Sequence, residues 1–193
     1  KGSTLPFVAY VTPDGKFISG TSGARHADMF KADLEGVLQN ALLKAAPDAE
    51  KKLVKIAAQA EKDAQENKIA AVIKAARDAD AIRGFSDSKD KVKALLDKVL
   101  EDGRGKIKEA AGLCKDGKLD ESGTILTAVA KDYKGTDVER EAAASSKALA
   151  RFKTAAKETD PASKEIRRQL ELVVKEGKDA PLFVEIAESR LKP

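Results

Sequence analysis

The chain has 193 residues, of which 42% are apolar, and its 36 basic and 32 acidic residues leave a net charge of only +4. It contains no apolar run of the roughly 18 residues a bilayer span requires, and no long block of like charges, so neither a membrane span nor a nucleic-acid partner is expected. Aromatic residues make up 4% and Trp is absent, so Ala, Leu, Val and Ile carry the apolar content, which suits closely packed helices better than a β-sandwich.

In chain order, Phe7 to Val11 reads as a strand whose two alternating sets are both apolar, as a strand covered on both faces requires. Thr12-Pro13-Asp14-Gly15-Lys16 reads as a turn, because Pro sets φ for the first corner and Gly accepts a positive φ later. Phe17 to Gly20 follows as a second strand. An isolated two-stranded hairpin is marginal in water and an open edge is a template for pairing. The hairpin is therefore expected to lean on the following helices, or to associate as a homodimer or with an upstream fragment.

Helical spacing starts after His26, with Met29, Phe30, Leu34, Val37, Leu38, Ala41 and Leu42, and Pro47 is read as the stop. Asp48 is expected to cap a second helix with Leu53, Ile56, Ala57, Ala60 and Ala64 inward. Asn67 is expected to cap a third, carrying Ile69, Val72, Ile73, Ala76, Ala79 and Ile82 as far as Gly84. Asp87 or Ser88 opens a long fourth helix through Val92, Leu95, Leu96, Val99 and Leu100 to Ile107, Ala110, Ala111 and Cys114. Gly103 and Gly105 each cost about 1 kcal/mol inside a helix, so a kink or break is expected there.

After Gly117 the sequence Lys118-Leu119-Asp120-Glu121, the inward run Ile125, Leu126 and Val129, and the corner Tyr133-Lys134-Gly135-Thr136 lead to a helix through Phe152. A shift of 44 residues carries Leu126, Val129, Lys131, Lys134, Glu141, Ala143 and Ser145 onto Leu170, Val173, Lys175, Lys178, Glu185, Ala187 and Ser189. Such a period is that of two-helix solenoid repeats. The Gly-Lys-Leu-Asp-Glu opening and the Tyr-Lys-Gly-Thr corner resemble a tetratricopeptide-type hairpin.

Thr4-Leu5-Pro6, the two strands and the helix after them, residues 4–44, resemble the C-terminal half of a thioredoxin-type domain. The resemblance implies a cis Pro6 in a loop that faces a redox centre and binds extended peptide. Cis bonds make up only about 5% of X-Pro bonds, so sequence alone predicts trans. The redox half is not in this sequence and no Cys-x-x-Cys occurs, so Pro6 is read as shaping the start of the strand.

Side chains able to do chemistry are scattered. Cys114 is the one cysteine, which excludes an intramolecular disulfide, and its register with Ile107, Ala110 and Ala111 predicts a small buried hydrophobe. His26 is the one histidine and is expected at the surface near a helix start. Asp78 and Asp80, two apart on a helix, point to different sides. Asp14, Asp116 and Asp120 sit in turn or cap contexts. Ser19-Gly20-Thr21-Ser22-Gly23 could hold an anion before a helix but lacks the lysine of a phosphate loop, and reads as a strand-to-helix connection.

The expected architecture is mostly α, with a thioredoxin-like hairpin and helix over residues 1–46 and stacked antiparallel helical hairpins, α-solenoid-like, over 47–193. The expected function is a non-catalytic protein- or peptide-binding module built on helical repeats, with no catalytic, cofactor or metal residues. The alternative is the trimmed part of a longer thioredoxin-family thiol-disulfide oxidoreductase. The first residue, Lys rather than Met, reads as a processed chain and leans the localisation toward bacterial extracytoplasmic.

Overall fold

A computed structural model describes residues 7–11, 17–23, 26–38, 44–160 and 163–192. The Pro6 loop, the turn at 12–16 with Asp14, and the inward positions Ala41 and Leu42 lie outside those residues. The chain is mostly α. A hairpin of β1 (Phe7–Val11) and β2 (Phe17–Ser22) precedes α1 (Ala27–Leu38), α2 (Pro47–Gln65), α3 (Ile69–Asp80), α4 (Asp87–Lys115), α5 (Leu119–Asp132), α6 (Asp137–Ala155), α7 (Lys164–Glu176) and α8 (Pro181–Leu191). These residues divide into an N-terminal unit, up to residue 62 with 74–94, and a C-terminal unit, 63–73 with 95–193.

In the N-terminal unit, β1 and β2 pair antiparallel, with Ala9 opposite Gly20, Tyr10 opposite Ser19, and Val11 opposite Phe17 across a bulge. Exposure alternates along β1 from Val8 and along β2 apart from Ile18, half-buried beside the bulge, so the sheet has two unlike faces. Val8, Tyr10, Ser19 and Thr21 are half-buried on one, where the Tyr10 ring lies 6.3 Å from Phe30 of α1. Ala9, Val11, Phe17, Gly20 and Ser22 are exposed on the other, so coverage of both faces, expected from the apolar run, is not found.

Three helix boundaries differ from expectation, each for a local reason. Pro47 is the first residue of α2, where its missing N–H and fixed φ cost nothing, so Asp48 lies inside the first turn, and not at the cap. Ser86, one residue before the expected cap, closes the start of α4, its Oγ accepting from the Ser88 N–H at 3.1 Å and donating to Glu50 at 2.9 Å. Asn67 does not open α3. It has φ of 57° and ends α2, its N–H reaching the Ala64 carbonyl at 3.1 Å while the Lys68 N–H reaches Asp63 at 2.8 Å. Gly117 ends α4 in the same way, with φ of 81°, its N–H on Cys114 at 3.2 Å and Lys118 on Leu113 at 2.8 Å. Asparagine tolerates the left-handed conformation that glycine takes freely, so one backbone corner recurs under two residue types.

In the C-terminal unit, α5, α6, α7 and α8 pack consecutively around a core that includes Ile107, Cys114, Leu126, Val129, Tyr133, Phe152, Leu170, Val173 and Phe183. The break expected at Gly103 and Gly105 does not occur, and α4 runs unbroken for 29 residues. Gly103 is a notch: a Cβ there would stand 2.6 Å from Tyr133 Cε1 and 2.8 Å from Val138 Cγ1.

The 44-residue echo holds at the element ends, since α5 and α7 stop at Asp132 and Glu176 and α6 and α8 begin at Asp137 and Pro181. In the first helix of each pair the burial agrees, with Leu126, Leu170, Val129 and Val173 all buried. In the second it slips: Ala143 is exposed where Ala187 is buried, and Ser145 is buried where Ser189 is exposed. The position after the first helix differs too, bulky Tyr133 in one pair and Gly177 in the other. Without a side chain at Gly177, Val184 of α8 comes within 2.5 Å of where a Cβ would stand.

Candidate functional site

Cys114 lies fully buried in the last turn of α4, as its helical register predicts. Burial pushes its thiol up to about 11, only partly opposed by the Arg190 guanidinium. Arg190 reaches from α8 to donate to the carbonyls of Cys114 and Lys115, both at 3.2 Å, and its guanidinium lies 5.2 Å from the centre of the Phe152 ring. A cation on the last carbonyls of α4 complements the negative end of that helix. Nothing local in the sequence points to this contact, because its partners are 76 residues apart.

With a thiol at about 11, only roughly one molecule in ten thousand carries the thiolate at neutral pH. Cys114 in the folded protein should therefore react with a disulfide reagent far more slowly than in guanidinium-unfolded protein, and the chain should not reduce insulin with a dithiol donor. Insulin turnover that vanishes in Cys114→Ser would overturn this reading of the residue.

The other candidates stay apart. His26 is exposed just before α1, and its carbonyl accepts the Phe30 N–H at 3.1 Å. Asp78 pairs with Lys74 at 3.6 Å and Asp80 with Lys89 at 3.8 Å, both on exposed surface. Asp116 is an exposed turn residue. Asp120 binds Lys153 at 2.6 Å, and that hydrogen bond holds its carboxyl below the usual range. Residues 19 to 22 belong to β2 and are engaged in its register with β1, so they form no connection before the helix and no anion cradle. Among the described residues, no group of three or more His, Cys, Asp or Glu side chains converges as a metal site would need.

What is distinctive is apolar surface. Val11, Phe17, Met29, Phe30, Leu34, Val54 and Phe85 are the large apolar side chains left exposed among the described residues, and all belong to the N-terminal unit. On α1, Phe30 and Leu34 lie one turn apart with Met29 beside them, exposed to 41%, 37% and 49%. Val37, on the same stripe of the helix as Phe30 and Leu34, is buried, so the apolar face of α1 is covered along only part of its length. The sequence carries the helical spacing of these residues but not which of them are covered. The C-terminal unit buries its large apolar side chains and exposes charge, paired across helices by Lys153 with Asp120 and Arg151 with Glu176.

A search of protein-family models, of curated proteins and of solved structures finds no match to this chain.

Proposed function

We propose that this chain is a non-catalytic protein- or peptide-binding module, in which stacked helical pairs form the scaffold and α1 presents the contact surface. One observation carries the reading: the exposed large apolar side chains are gathered in one unit, and three of them sit together on α1. Clustered exposed apolar residues mark interaction surfaces, whereas isolated ones mean little. An amphipathic helix docking into a partner's groove through anchors about one turn apart is a common mode of recognition. The buried, protonated Cys114 supports a binding role over a catalytic one.

Magnitudes limit the site. Full burial of one such side chain contributes about 1.5–3 kcal/mol, so three that are already half-covered contribute roughly 3–4 kcal/mol. A micromolar complex needs about 8 kcal/mol. Val54 and Phe85, exposed at 51% and 55% in the same unit, are further apolar contacts available to a partner.

The order of hairpin and then helix supports reading residues 1–46 as the remnant of a thioredoxin-type domain. That is also the basis of a second reading, part of a longer thiol-disulfide oxidoreductase, which the coding sequence upstream of Lys1 separates from the first: a Cys-x-x-Cys there would favour the redox reading. The binding reading is tested by placing a photoreactive residue at Met29 or Leu34, and at Lys131 as a control, in extract from the native source. A discrete crosslinked protein is expected at the α1 positions, lost when Phe30→Lys is added. Equal labelling at Lys131, or none at α1, would contradict the proposal.

A further inference from the structure

The exposed side of α2 carries cations that the helix itself leaves unmatched. The helix has four lysines and four carboxylates, so by count it is neutral. Placement separates them. Glu50 turns toward the start of α4, where it accepts from Ser86 and Ser88, and Asp63 is buried. Asp48 stands in the first turn beside Lys51, 3.6 Å away. Lys51, Lys55 and Lys62 are all exposed and, at 3.6 residues per turn, fall within about 40° of one another around the axis, opposite the buried Leu53, Ala57 and Ala60. Several exposed helical cations elsewhere are matched one turn away, as Lys74 is with Asp78, Arg140 with Asp137 and Arg167 with Glu171. Lys55 is not. The residues three and four positions from it are Lys51, Lys52, Ala58 and Gln59, and neither Lys55 nor Lys62 forms an ion pair among the described residues. Like charges four apart destabilise a helix, so this row works against the stability of α2 itself.

Beside the row runs a short apolar strip. Val54, exposed at 51%, and the exposed Ala58 lie one turn apart on its flank, and the exposed Glu61 lies on the far side of the strip, away from the lysines. Lys55 and Lys62, seven residues apart, border the strip as charged residues border the seam of a coiled coil. From this juxtaposition of an apolar strip and an unmatched cationic row we infer that α2 receives an acidic amphipathic helix of a partner protein, its apolar residues on Val54 and Ala58 and its carboxylates on Lys55 and Lys62. The inference rests on the binding reading above and adds to it a second contact surface and the charge of what it contacts. Two other anionic partners fit less well. α2 has no aromatic side chain on which bases could stack. Its apolar face, with Leu53 at the centre, is turned into the core, whereas a helix lying on a lipid surface must bury that face among acyl chains.

Fluorescence anisotropy with labelled synthetic helices on the full chain tests this. The probe is a peptide of about three heptads with Leu and Ala at its seam and Glu on both flanks, and its twin carries Gln in place of Glu. The Glu peptide should bind between about 10 μM and 1 mM, the Gln peptide at least about tenfold more weakly, and added salt should weaken the first. Lys55→Glu with Lys62→Glu should abolish the difference between the peptides. Lys131→Glu with Lys175→Glu, the same change of charge in the C-terminal unit, should leave binding as in the wild type. All four lysines are exposed, so these variants should keep the wild-type denaturant midpoint; where one does not, Gln at the same positions takes the place of Glu. The peptide reports on α2 alone, which keeps its failure distinct from loss of the α1 crosslinks. The inference fails if the Glu peptide does not bind below about 1 mM, if the Gln peptide binds as tightly, or if the Lys131 and Lys175 variant loses binding as the α2 variant does. It also fails if a DNA duplex or anionic vesicles bind more tightly than the Glu peptide and depend on the same α2 lysines.

Discussion

Replacing Tyr133 with alanine is expected to destabilise the protein by about 3–5 kcal/mol, the range for deleting a large buried ring. Although it follows the last residue of α5 in a turn, its side chain is 1% exposed and fills the notch that Gly103 leaves in α4. Burial, with the carboxylates of Asp102 and Asp132 nearby, also raises the phenol above its ordinary value, so the ring stays neutral across the working pH range.

The notch makes a sharper companion prediction. In the wild type, Gly103→Ala gains about 1 kcal/mol of helix propensity. It also drives a Cβ to 2.6 Å from the ring, and overpacking of this kind costs about 1–3 kcal/mol. The net effect is expected to be destabilising. In a Tyr133→Ala background the closest obstruction is gone and only Val138 Cγ1 remains, at 2.8 Å, so the same substitution should cost less than in the wild type. Chemical denaturation of the two single variants and the double variant gives the coupling directly. Stabilisation by Gly103→Ala in both backgrounds would mean that the ring does not occupy the notch.

Gly103 also shows where sequence reading reached its limit. Period and composition made the strands, the long helix and the inward faces legible, because each depends on neighbours a few residues away. A glycine in a helix has two physical meanings, a weak point or a place of close approach, and only the distant Tyr133 decides between them. Asn67 was ambiguous in a similar way, since asparagine serves both the start of a helix and the left-handed residue that ends one. The contact of Arg190 with the end of α4 was out of reach, as no local pattern records it. The exposed edge of α1 was half legible: the spacing of Phe30, Leu34 and Val37 announces an apolar face but not which part of it the fold covers. Cys114 was read correctly because burial follows from helical register alone.

The central claim is that α5–α6 and α7–α8 are tandem pairs, equivalent in their first helices, that serve as a scaffold, and the echo between those first helices tests it. Leu126 and Leu170 occupy equivalent positions and are 0% and 4% exposed, while Lys131 and Lys175, five residues later, are exposed in both pairs. Truncating a buried leucine removes its transfer free energy and leaves a cavity, together about 2–5 kcal/mol. An exposed lysine is expected to tolerate alanine within about 0.5 kcal/mol. The decisive measurement is the denaturant midpoint of Leu126→Ala, Leu170→Ala, Lys131→Ala and Lys175→Ala, with unfolding followed by helical circular dichroism. The account predicts that both leucine variants fall by comparable, large amounts and both lysine variants match the wild type. If Leu170→Ala proves as silent as Lys175→Ala, the pairs are not equivalent, and the scaffold on which the binding function rests is contradicted.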